Sequence, residues 1–385
     1  MIHTEPGTNR TLFLQQYKHG LEEFCRVGER ITGRQMDLDQ EQVYSEVQEL
    51  FRKGLVIIVG SGASSALGLP GMTDLAAHLR ENVPNEITAR SLSCLPQWTP
   101  ISELLEQGQG LEDALADGVS SDELADLIAE QIATCISGKE MHAMEKILRE
   151  AEPPAFSRIF QHVLRTTECV DVITTNYDRL IEAQAARVGI GVDSMFYGHT
   201  VGKFDPEQSR KSMLRLDNQV GRRRVTSIRK TPHIRLSKPH GSLDWLTYNG
   251  EHFRSDLAIP GARRIVAPGG NKYRQGYEMP FDQQRERANA AIDAADALLF
   301  VGYGFNDDHL QTHIRERIQK VPSVILSRTI TQSAREYLSI SPVALGVEAD
   351  RVNDAHTHVV KGDGEATLDS PIWNLNRLVE EVLGK

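Results

Sequence analysis

Short apolar runs alternate with longer amphipathic stretches along most of the chain. The runs LVIIV at residues 55–59 and VDVIT at residues 170–174 are continuous, rich in β-branched residues and of strand length, which is typical of buried strands. We predict further strands at residues 233–237, 263–267, 297–303, 323–327 and 357–360. We predict helices at residues 178–188, 283–296, 306–320, 331–339 and 371–383. Strands that alternate with helices in this way predict an α/β fold with a doubly wound parallel sheet.

The N-terminal part of the chain has the spacing of amphipathic helices between residues 11 and 54. Its clearest stripe consists of four apolar residues at helical spacing, Val43, Val47, Leu50 and Phe51. Gly54 stands where a C′ glycine would end that helix. We therefore predict a helical N-terminal extension over residues 1–51, which needs a surface to cover.

We assign the remainder of the chain, residues 52–385, to one α/β domain. Between residues 75 and 167 the pattern is almost entirely helical, and Ser121 is well placed to cap one of these helices. A helical layer inserted at about residues 85–150 follows from this pattern. The C-terminal helix is predicted to have Ser370 as its cap and Pro371 at its first position.

Composition narrows the class of protein. The chain has 385 residues, of which 40% are hydrophobic and 25% charged, the balance of a soluble globular protein. No apolar run approaches the roughly 18 residues of a membrane span, and the N-terminus lacks the pattern of a secretory signal. The four cysteines lie far apart without a C-x-x-C pair, which argues against a zinc ribbon and favours a reducing cytoplasm. A net charge of −10 argues against a general nucleic-acid coat.

A glycine-containing loop, GSGAS, directly follows the first buried run at residues 60–64. Glycines at such a corner let the backbone approach a pyrophosphate, and the N-terminus of a following helix supplies N–H donors. The loop is not the usual Rossmann fingerprint, because Ser65 stands where the third glycine would be. It is not a Walker A loop either, because no Gly-Lys-Ser/Thr follows it. It is a candidate nucleotide-binding loop or, alternatively, a corner that simply needs glycine.

A polar segment, TTNYD, ends the second buried run at residues 174–178. Ligands of open α/β sheets bind beyond such strand ends. Asn176 offers both a donor and an acceptor, so it can hold a sugar hydroxyl or a water molecule, although it could also simply start an Asx turn. Asp178 is a candidate cap for the next helix.

A histidine follows another predicted strand in KPHGSLDW, residues 238–245. His240 lies between a proline and a glycine, and histidine titrates near neutrality, so it is a candidate general base. The alternative is a structural histidine.

The fourth segment, LLFVGYGFNDDHL, places Gly302 and Gly304 at a strand end that opens onto a helix. The polar residues 306–308 suit the N-terminus of that helix. An ordinary capped junction between strand and helix would have the same pattern.

Together the four segments resemble the SIR2-like, sirtuin-fold family. That family has a G-[AS]-G-x-S loop, a G-[IL]-P turn, a T-[QT]-N-x-D element, an H-G catalytic loop and a late glycine-containing strand end. This chain has, in the same order, GSGAS, GLP, TTNYD, HGS and GYGF between Gly60 and Phe305. The resemblance implies a Rossmann-like fold that binds NAD, in agreement with the hydrophobic pattern.

The resemblance implies roles for individual residues. Asn176 and His240 would be the catalytic pair, with Asp178 supporting the loop that carries Asn176. The phosphates and the adjoining ribose would lie against Gly60, Ser61, Gly62, Ala63, Ser64 and Thr175. The adenosine end would lie against Gly302, Tyr303 and Gly304.

Two departures from the protein-deacylating sirtuins change the expected activity. Those enzymes carry two C-x-x-C pairs on a zinc module, which this sequence lacks, and Met72-Thr73-Asp74 replaces their usual Asp-Phe-Arg. The chain instead resembles the zinc-free SIR2-like proteins of bacterial antiphage defence, which implies an NAD glycohydrolase with NAD as its substrate and no metal or cofactor. The alternatives are a zinc-free deacylase or ADP-ribosyltransferase, a non-catalytic sensor of NAD or ADP-ribose, and a nuclease subunit.

A basic stretch at residues 210–235 holds nine Lys or Arg and one acidic residue, which leaves contact with nucleic acid open. A solvated surface loop, or an arm that grips an acidic neighbour, is the alternative. The resemblance and the amphipathic extension also lead us to expect a homo-oligomer. A separate partner protein is expected to control its activity, and a HerA-type ATPase is favoured over an Argonaute-like protein.

Overall fold

The computed structural model describes residues 34–35, 39–116, 119, 121–220, 224–257, 259, 263–266, 278–362 and 364–384. Most of the predicted N-terminal extension, residues 1–33, lies outside the described residues. Among the described residues, no helix has both the length and the apolar character that crossing a membrane requires.

The described residues form seventeen strands. They are β1 (Arg34–Gln35), β2 (Leu55–Val59), β3 (Cys169–Thr174), β4 (Gly191–Asp193), β5 (Phe196–Tyr197), β6 (Gly202–Phe204), β7 (Leu214–Val220), β8 (Arg224–Lys230), β9 (His233–Ser237), β10 (Gly241–Tyr248), β11 (Glu251–Arg254), β12 (Arg263–Ile265), β13 (Ala297–Val301), β14 (Ser323–Leu326), β15 (Ala344–Ala349), β16 (Thr357–Lys361) and β17 (Gly364–Leu368).

Thirteen helices are described between and around these strands. They are α1 (Gln40–Gln48), α2 (Ser61–Ser65), α3 (Met72–Arg90), α4 (Leu95–Glu106), α5 (Leu111–Ala114), α6 (Asp122–Arg149), α7 (Ala155–Val163), α8 (Leu180–Arg187), α9 (Pro206–Ser212), α10 (Phe281–Asp293), α11 (Asp308–Arg317), α12 (Gln332–Ile340) and α13 (Leu375–Val382).

The central sheet has ten strands in the order β1-β17-β16-β15-β14-β13-β2-β3-β9-β4. The seven strands from β15 to β4 run parallel, whereas β16 and β17 pair antiparallel at one side. From β2 the chain continues to β3 and β9 on one side, and later returns to β13 on the other side. A crevice therefore forms at the carboxyl ends of β2 and β13, where the strand order reverses. The predicted doubly wound α/β fold is confirmed.

The alternation of side chains along β2 builds a core on each face of the sheet. Leu55, Ile57 and Val59 belong to a cluster with α1, α7 and α13, whereas Val56 and Ile58 belong to a cluster with α10, α11 and α12. A third cluster joins α3, α4, α5 and α6, and it also includes Leu180 and Leu243 from segments that follow β3 and β9. The helical layer is thereby packed against the loops that carry the polar motifs.

Three local predictions are wrong. The helix α1 ends at Gln48, so Gly54 does not end it; Gly54 instead directly precedes β2, with a φ of +85°, and a Cβ there would come within 2.3 Å of the Oδ2 of Asp296. The last helix begins after Asn374, whose side chain accepts a hydrogen bond from the N–H of Asn376, because Ser370 is committed to the side chain of Glu381. The basic stretch forms the antiparallel hairpin β7–β8 and then β9 rather than a loop.

Candidate active site

The four polar motifs follow β13, β2, β3 and β9, which are neighbours in the sheet. Their loops meet at the carboxyl edge around a cavity of about 170 Å³. Nine of the twelve residues singled out in the sequence line it: Gly60, Ser61, Ser64, Thr175, Asn176, Asp178, His240, Tyr303 and Gly304. The other three, Gly62, Ala63 and Gly302, lie in the crossing of two loops beside the cavity.

Close packing at the crossing of these two loops explains why Gly60 and Gly302 are glycines. The N–H of Gly60 donates to the carbonyl of Val301 at 3.0 Å, and the N–H of Gly62 donates to the carbonyl of Gly302 at 3.0 Å. A Cβ on Gly60 would come within 2.5 Å of the Gly302 carbonyl oxygen. A Cβ on Gly302, which has a φ of +58°, would come within 2.4 Å of the Ala63 nitrogen. The loops after β2 and β13 can therefore touch only because both residues lack a side chain.

Gly302→Ala is expected to lower the free energy of unfolding by at least about 2 kcal/mol, because it adds left-handed strain to a backbone clash. Gly304→Ala is the matched control, since a Cβ there meets only the Asn306 amide at 3.6 Å. Urea unfolding of both variants measures the difference. Equal stability of the two variants would contradict this account of the crossing.

Asn176 is held by a chain of side-chain hydrogen bonds. Its Nδ2 donates to the carbonyl of Gly60 at 2.9 Å and to the Oγ of Ser64 at 2.7 Å. The Ser64 hydroxyl in turn donates to the Oδ2 of Asp178 at 2.6 Å. A carbonyl oxygen can only accept, so the amide nitrogen must face Gly60. Both Nδ2 hydrogens are then used, and the Oδ1 of Asn176 remains as the group that the amide can offer to a ligand.

Asp178 has two functions within the protein. Its Oδ1 accepts from the N–H of Leu180 at 3.1 Å in an Asx turn, and its Oδ2 accepts from Ser64. The predicted cap is wrong, because helix α8 has Arg179 as its N-cap, without a side-chain capping bond. Burial raises the pKa of the Asp178 carboxyl, while the nearby ammonium of Lys238 and the bond from Ser64 oppose that rise. Asp178 thus orients Asn176 indirectly, through Ser64.

His240 lies in the turn after β9 and is only 8% exposed. Its Nε2 is 2.9 Å from the Oδ2 of Asp307, which lies in the loop after β13. The carboxylate is placed to pair with the imidazolium that forms when His240 takes up a proton. The sequence indicated Asp307 only as a residue suited to a helix N-terminus, so its pairing with His240 was missed.

Both acidic and apolar side chains line the cavity. Glu112, Asp178 and Asp307 line it, and among the described lining residues none is lysine or arginine. Its apolar wall comes from the loop before α3 and from the helical layer, through Leu69, Pro70, Met72, Leu75 and Ile136. A cavity of this kind favours a ligand that carries positive charge near an apolar ring.

Tyr177 closes one side of the cavity. Its hydroxyl donates to the carbonyl of Val266 at 2.7 Å, and burial raises its pKa, so the phenol stays protonated. Sequence reasoning missed Tyr177 and Glu112. Tyr177 lies within the TTNYD segment but was not one of its candidate residues. Glu112 lies in a helical segment in which the sequence showed no motif.

The family model for the SIR2-like domain matches residues 170–339. The matched stretch contains Asn176, His240 and Asp307, whereas the loop at residues 60–64 precedes it. No curated protein matches the chain.

Solved structures of Sir2 proteins are similar to the chain at low identity. A structure described under the mechanism and regulation of Sir2 enzymes is 15% identical with a TM-score of 0.41, over 90% of this chain and 98% of the other. A mutant Sir2 homologue in complex with ADP-ribose is 15% identical with a TM-score of 0.39, over the same shares of 90% and 98%. A Sir2 homologue in complex with NAD is 14% identical with a TM-score of 0.34, over 80% of this chain and 89% of the other.

Proposed function

We propose that this protein is an NAD glycohydrolase, which cleaves NAD to ADP-ribose and nicotinamide. The observation that carries the proposal is the convergence of Asn176 and His240 on one cavity beside the loop crossing of Gly60 and Gly302. The match of residues 170–339 to the SIR2-like domain supports it.

The reaction exchanges one bond at C1′ of the nicotinamide ribose. The bond from C1′ to the pyridinium nitrogen breaks, and its electron pair leaves with nicotinamide. The oxygen of a water molecule bonds to C1′, and the water loses one proton. Positive charge passes from the pyridinium to an oxocarbenium-like ribose, and the carboxylates of Glu112 and Asp307 lie where they can stabilise such charge.

Asn176 and His240 have different roles in this proposal. The Oδ1 of Asn176 would accept a hydrogen bond from the attacking water or from a ribose hydroxyl, which is a positioning role. His240 would take up the proton, and Asp307, at 2.9 Å, would pair with the resulting imidazolium. Proton transfer of this kind contributes on the order of 10²–10⁴-fold in rate.

The remaining predicted residues bind rather than react. The phosphates and the adjoining ribose are assigned to the corner that contains Gly60, Ser61, Gly62, Ala63 and Ser64, together with Thr175. The adenosine end is assigned to Gly302, Tyr303 and Gly304. The structure places six of these nine residues on the cavity: Gly60, Ser61, Ser64, Thr175, Tyr303 and Gly304.

We also propose that the enzyme acts in antiphage defence by NAD depletion, as a homo-oligomer that a separate partner protein, preferably an ATPase, activates. The resemblance to zinc-free defence proteins supports this role. An unregulated NAD hydrolase would deplete the NAD of its own cell, so its activity requires such control.

The proposal is tested by incubating the purified full chain with NAD, with and without a HerA-type ATPase, and separating the products by chromatography. ADP-ribose and nicotinamide in equal amounts are expected, with a strong increase when the partner is present. Light scattering of the chain alone should give a multiple of 42.9 kDa. Failure to release nicotinamide under either condition would refute the activity, and a monomer at micromolar concentration would refute the assembly.

A further inference from the structure

Lys238 is the first residue after β9, two positions before His240, and it is only 1% exposed. Lysine is almost never fully buried unless its ammonium is paired, since removing the charge from water is costly. The mechanism proposed above does not use this residue. Its burial beside the cavity therefore requires an explanation.

The Lys238 ammonium binds mainly to backbone and hydroxyl oxygens. Its Nζ donates to the carbonyl of Asp178, to the Oγ of Ser242 at 2.9 Å and to the carbonyl of Tyr177 at 3.4 Å. The Oε1 of Glu182 lies 3.5 Å away and supplies a carboxylate. Three oxygens thus accept from the ammonium, which matches its three hydrogens.

These oxygens belong to two different segments. Tyr177 and Asp178 follow β3 on the segment that carries Asn176, whereas Ser242 lies at the start of β10, directly after the turn that carries His240. Two further bonds cross the same boundary: the N–H of Leu243 donates to the carbonyl of Tyr177 at 2.9 Å, and the Ser242 hydroxyl donates to that carbonyl at 3.2 Å. The ammonium lies at the centre of the contact between the two loops.

A second path leads from Lys238 to Asn176 through charge. The ammonium acts on the buried carboxyl of Asp178, which accepts from Ser64, and Ser64 accepts from the Nδ2 of Asn176. A charged Asp178 can only accept, so it fixes the direction of the Ser64 hydroxyl and leaves the oxygen of Ser64 to accept from Asn176. A neutral Asp178 could donate to Ser64 and release that constraint.

We propose that Lys238 is a positioning residue for the reaction proposed above: its buried ammonium holds the Asn176 segment against the His240 turn and, through Asp178 and Ser64, sets the orientation of the Asn176 amide. The inference rests on the proposed function for its kinetic test and on the geometry alone for its structural test.

The charged groups around Asp178 decide the pH dependence. Lys238 faces it from the end of β9 and Glu140 faces it from α6, while Glu182 on α8 and Asp244 on β10 surround the ammonium. Burial already raises the pKa of Asp178, and Lys238 is the strongest opposing charge. Removing the ammonium raises that pKa further, so Asp178 takes up a proton at a higher pH than in the wild type.

The kinetic test compares Lys238→Met with the wild type. We expect kcat to fall by about 10²-fold, the effect of misplacing reacting groups by roughly 1 Å, while KM changes little because the substrate contacts remain. The acidic limb of the pH profile of kcat should move to higher pH. Lys203→Met, which removes a lysine from an exposed ion pair with Glu251, is the control and should leave kcat and the profile unchanged.

A crystal structure of Lys238→Met provides a readout that does not depend on activity. The bond between Asn176 Nδ2 and Ser64 Oγ, now 2.7 Å, should be broken or the two loops should separate. If Lys238→Met does not fold, Ser242→Ala takes its place, because it removes one acceptor of the ammonium and should also lower kcat, by a smaller factor.

If the wild-type enzyme does not cleave NAD, the proposed function is refuted, and the crystal structure alone then tests the positioning role. Unchanged kcat in a folded Lys238→Met, a loss confined to KM, or unchanged loops in its crystal structure would overturn the inference.

Discussion

Asn176→Ala is expected to abolish NAD cleavage, with no turnover above the background of the assay, while the protein remains folded. The substitution removes the Oδ1 of Asn176. Because both Nδ2 hydrogens donate to Gly60 and Ser64, this oxygen is the group that the amide can offer to a ligand. Without that oxygen, neither the attacking water nor a ribose hydroxyl is held in line with C1′. The measurement is single-turnover release of nicotinamide by the activated enzyme.

The effect on stability should be small by comparison. Alanine leaves the carbonyl of Gly60 and the hydroxyl of Ser64 without one donor each, which costs about 1–3 kcal/mol. Asn82→Ala is the matched control, because Asn82 is a partly buried asparagine on α3 whose Nδ2 donates to the carbonyl of His78 at 2.8 Å. It should lose comparable stability and keep full turnover. Turnover near the wild-type level in a folded Asn176→Ala would refute the catalytic assignment.

The parallel core could be predicted because its strands are continuous apolar runs. β2, which is apolar and buried at all five positions, has the predicted bounds. β9 also has the predicted bounds, although its apolar Ile234 and Leu236 alternate with polar residues. The convergence of the polar motifs was also predictable, because the carboxyl ends of parallel strands share one edge of the sheet. Order along the chain, together with strand direction, was enough to bring Asn176 and His240 together.

The smaller strands could not be predicted in the same way. β10 begins at Gly241, shortly after the predicted strand β9, and its partner β11 comes from sequence without a strand pattern, whereas its other partner, β12, lies within the strand predicted at residues 263–267. The hairpin β7–β8 leaves Leu216 and Ile228 68% exposed as a cross-strand pair, and none of its side chains whose burial the structure describes is buried, so these positions offer no hydrophobic pattern. Tertiary pairing, rather than local pattern, forms these elements.

Two residues of the site were missed because their roles depend on distant partners. Asp307 fits the N-terminus of a helix in sequence, and only the order of β13, β2, β3 and β9 across the sheet brings it to His240. Lys238 precedes a proline near a strand end, where lysine is ordinarily solvated. Its buried ammonium is satisfied by the carbonyls of Tyr177 and Asp178, a contact that no spacing in the sequence encodes.

His240→Ala is expected to lower kcat by at least about 10²-fold, because the proton that the attacking water loses then has no positioned acceptor. The loss should appear in kcat and in kcat/KM equally, since the base acts only in the transition state. Asp307→Asn should lower kcat by a smaller factor, because His240 remains as the acceptor and only its partner at 2.9 Å loses its charge. Both variants are measured at saturating NAD across a range of pH.

A surface pair of the same composition provides the control for His240. His313 on α11 lies 2.8 Å from the Oδ1 of Asp293, is 34% exposed and lies outside the cavity. His313→Ala should therefore keep full activity, which separates loss of the base from general loss of a His–Asp pair. A His240→Ala variant with raised KM and unchanged kcat would show that His240 only binds the substrate. Such a result would favour the sensor among the alternatives, because the cavity would then hold its ligand without a group that takes up the proton.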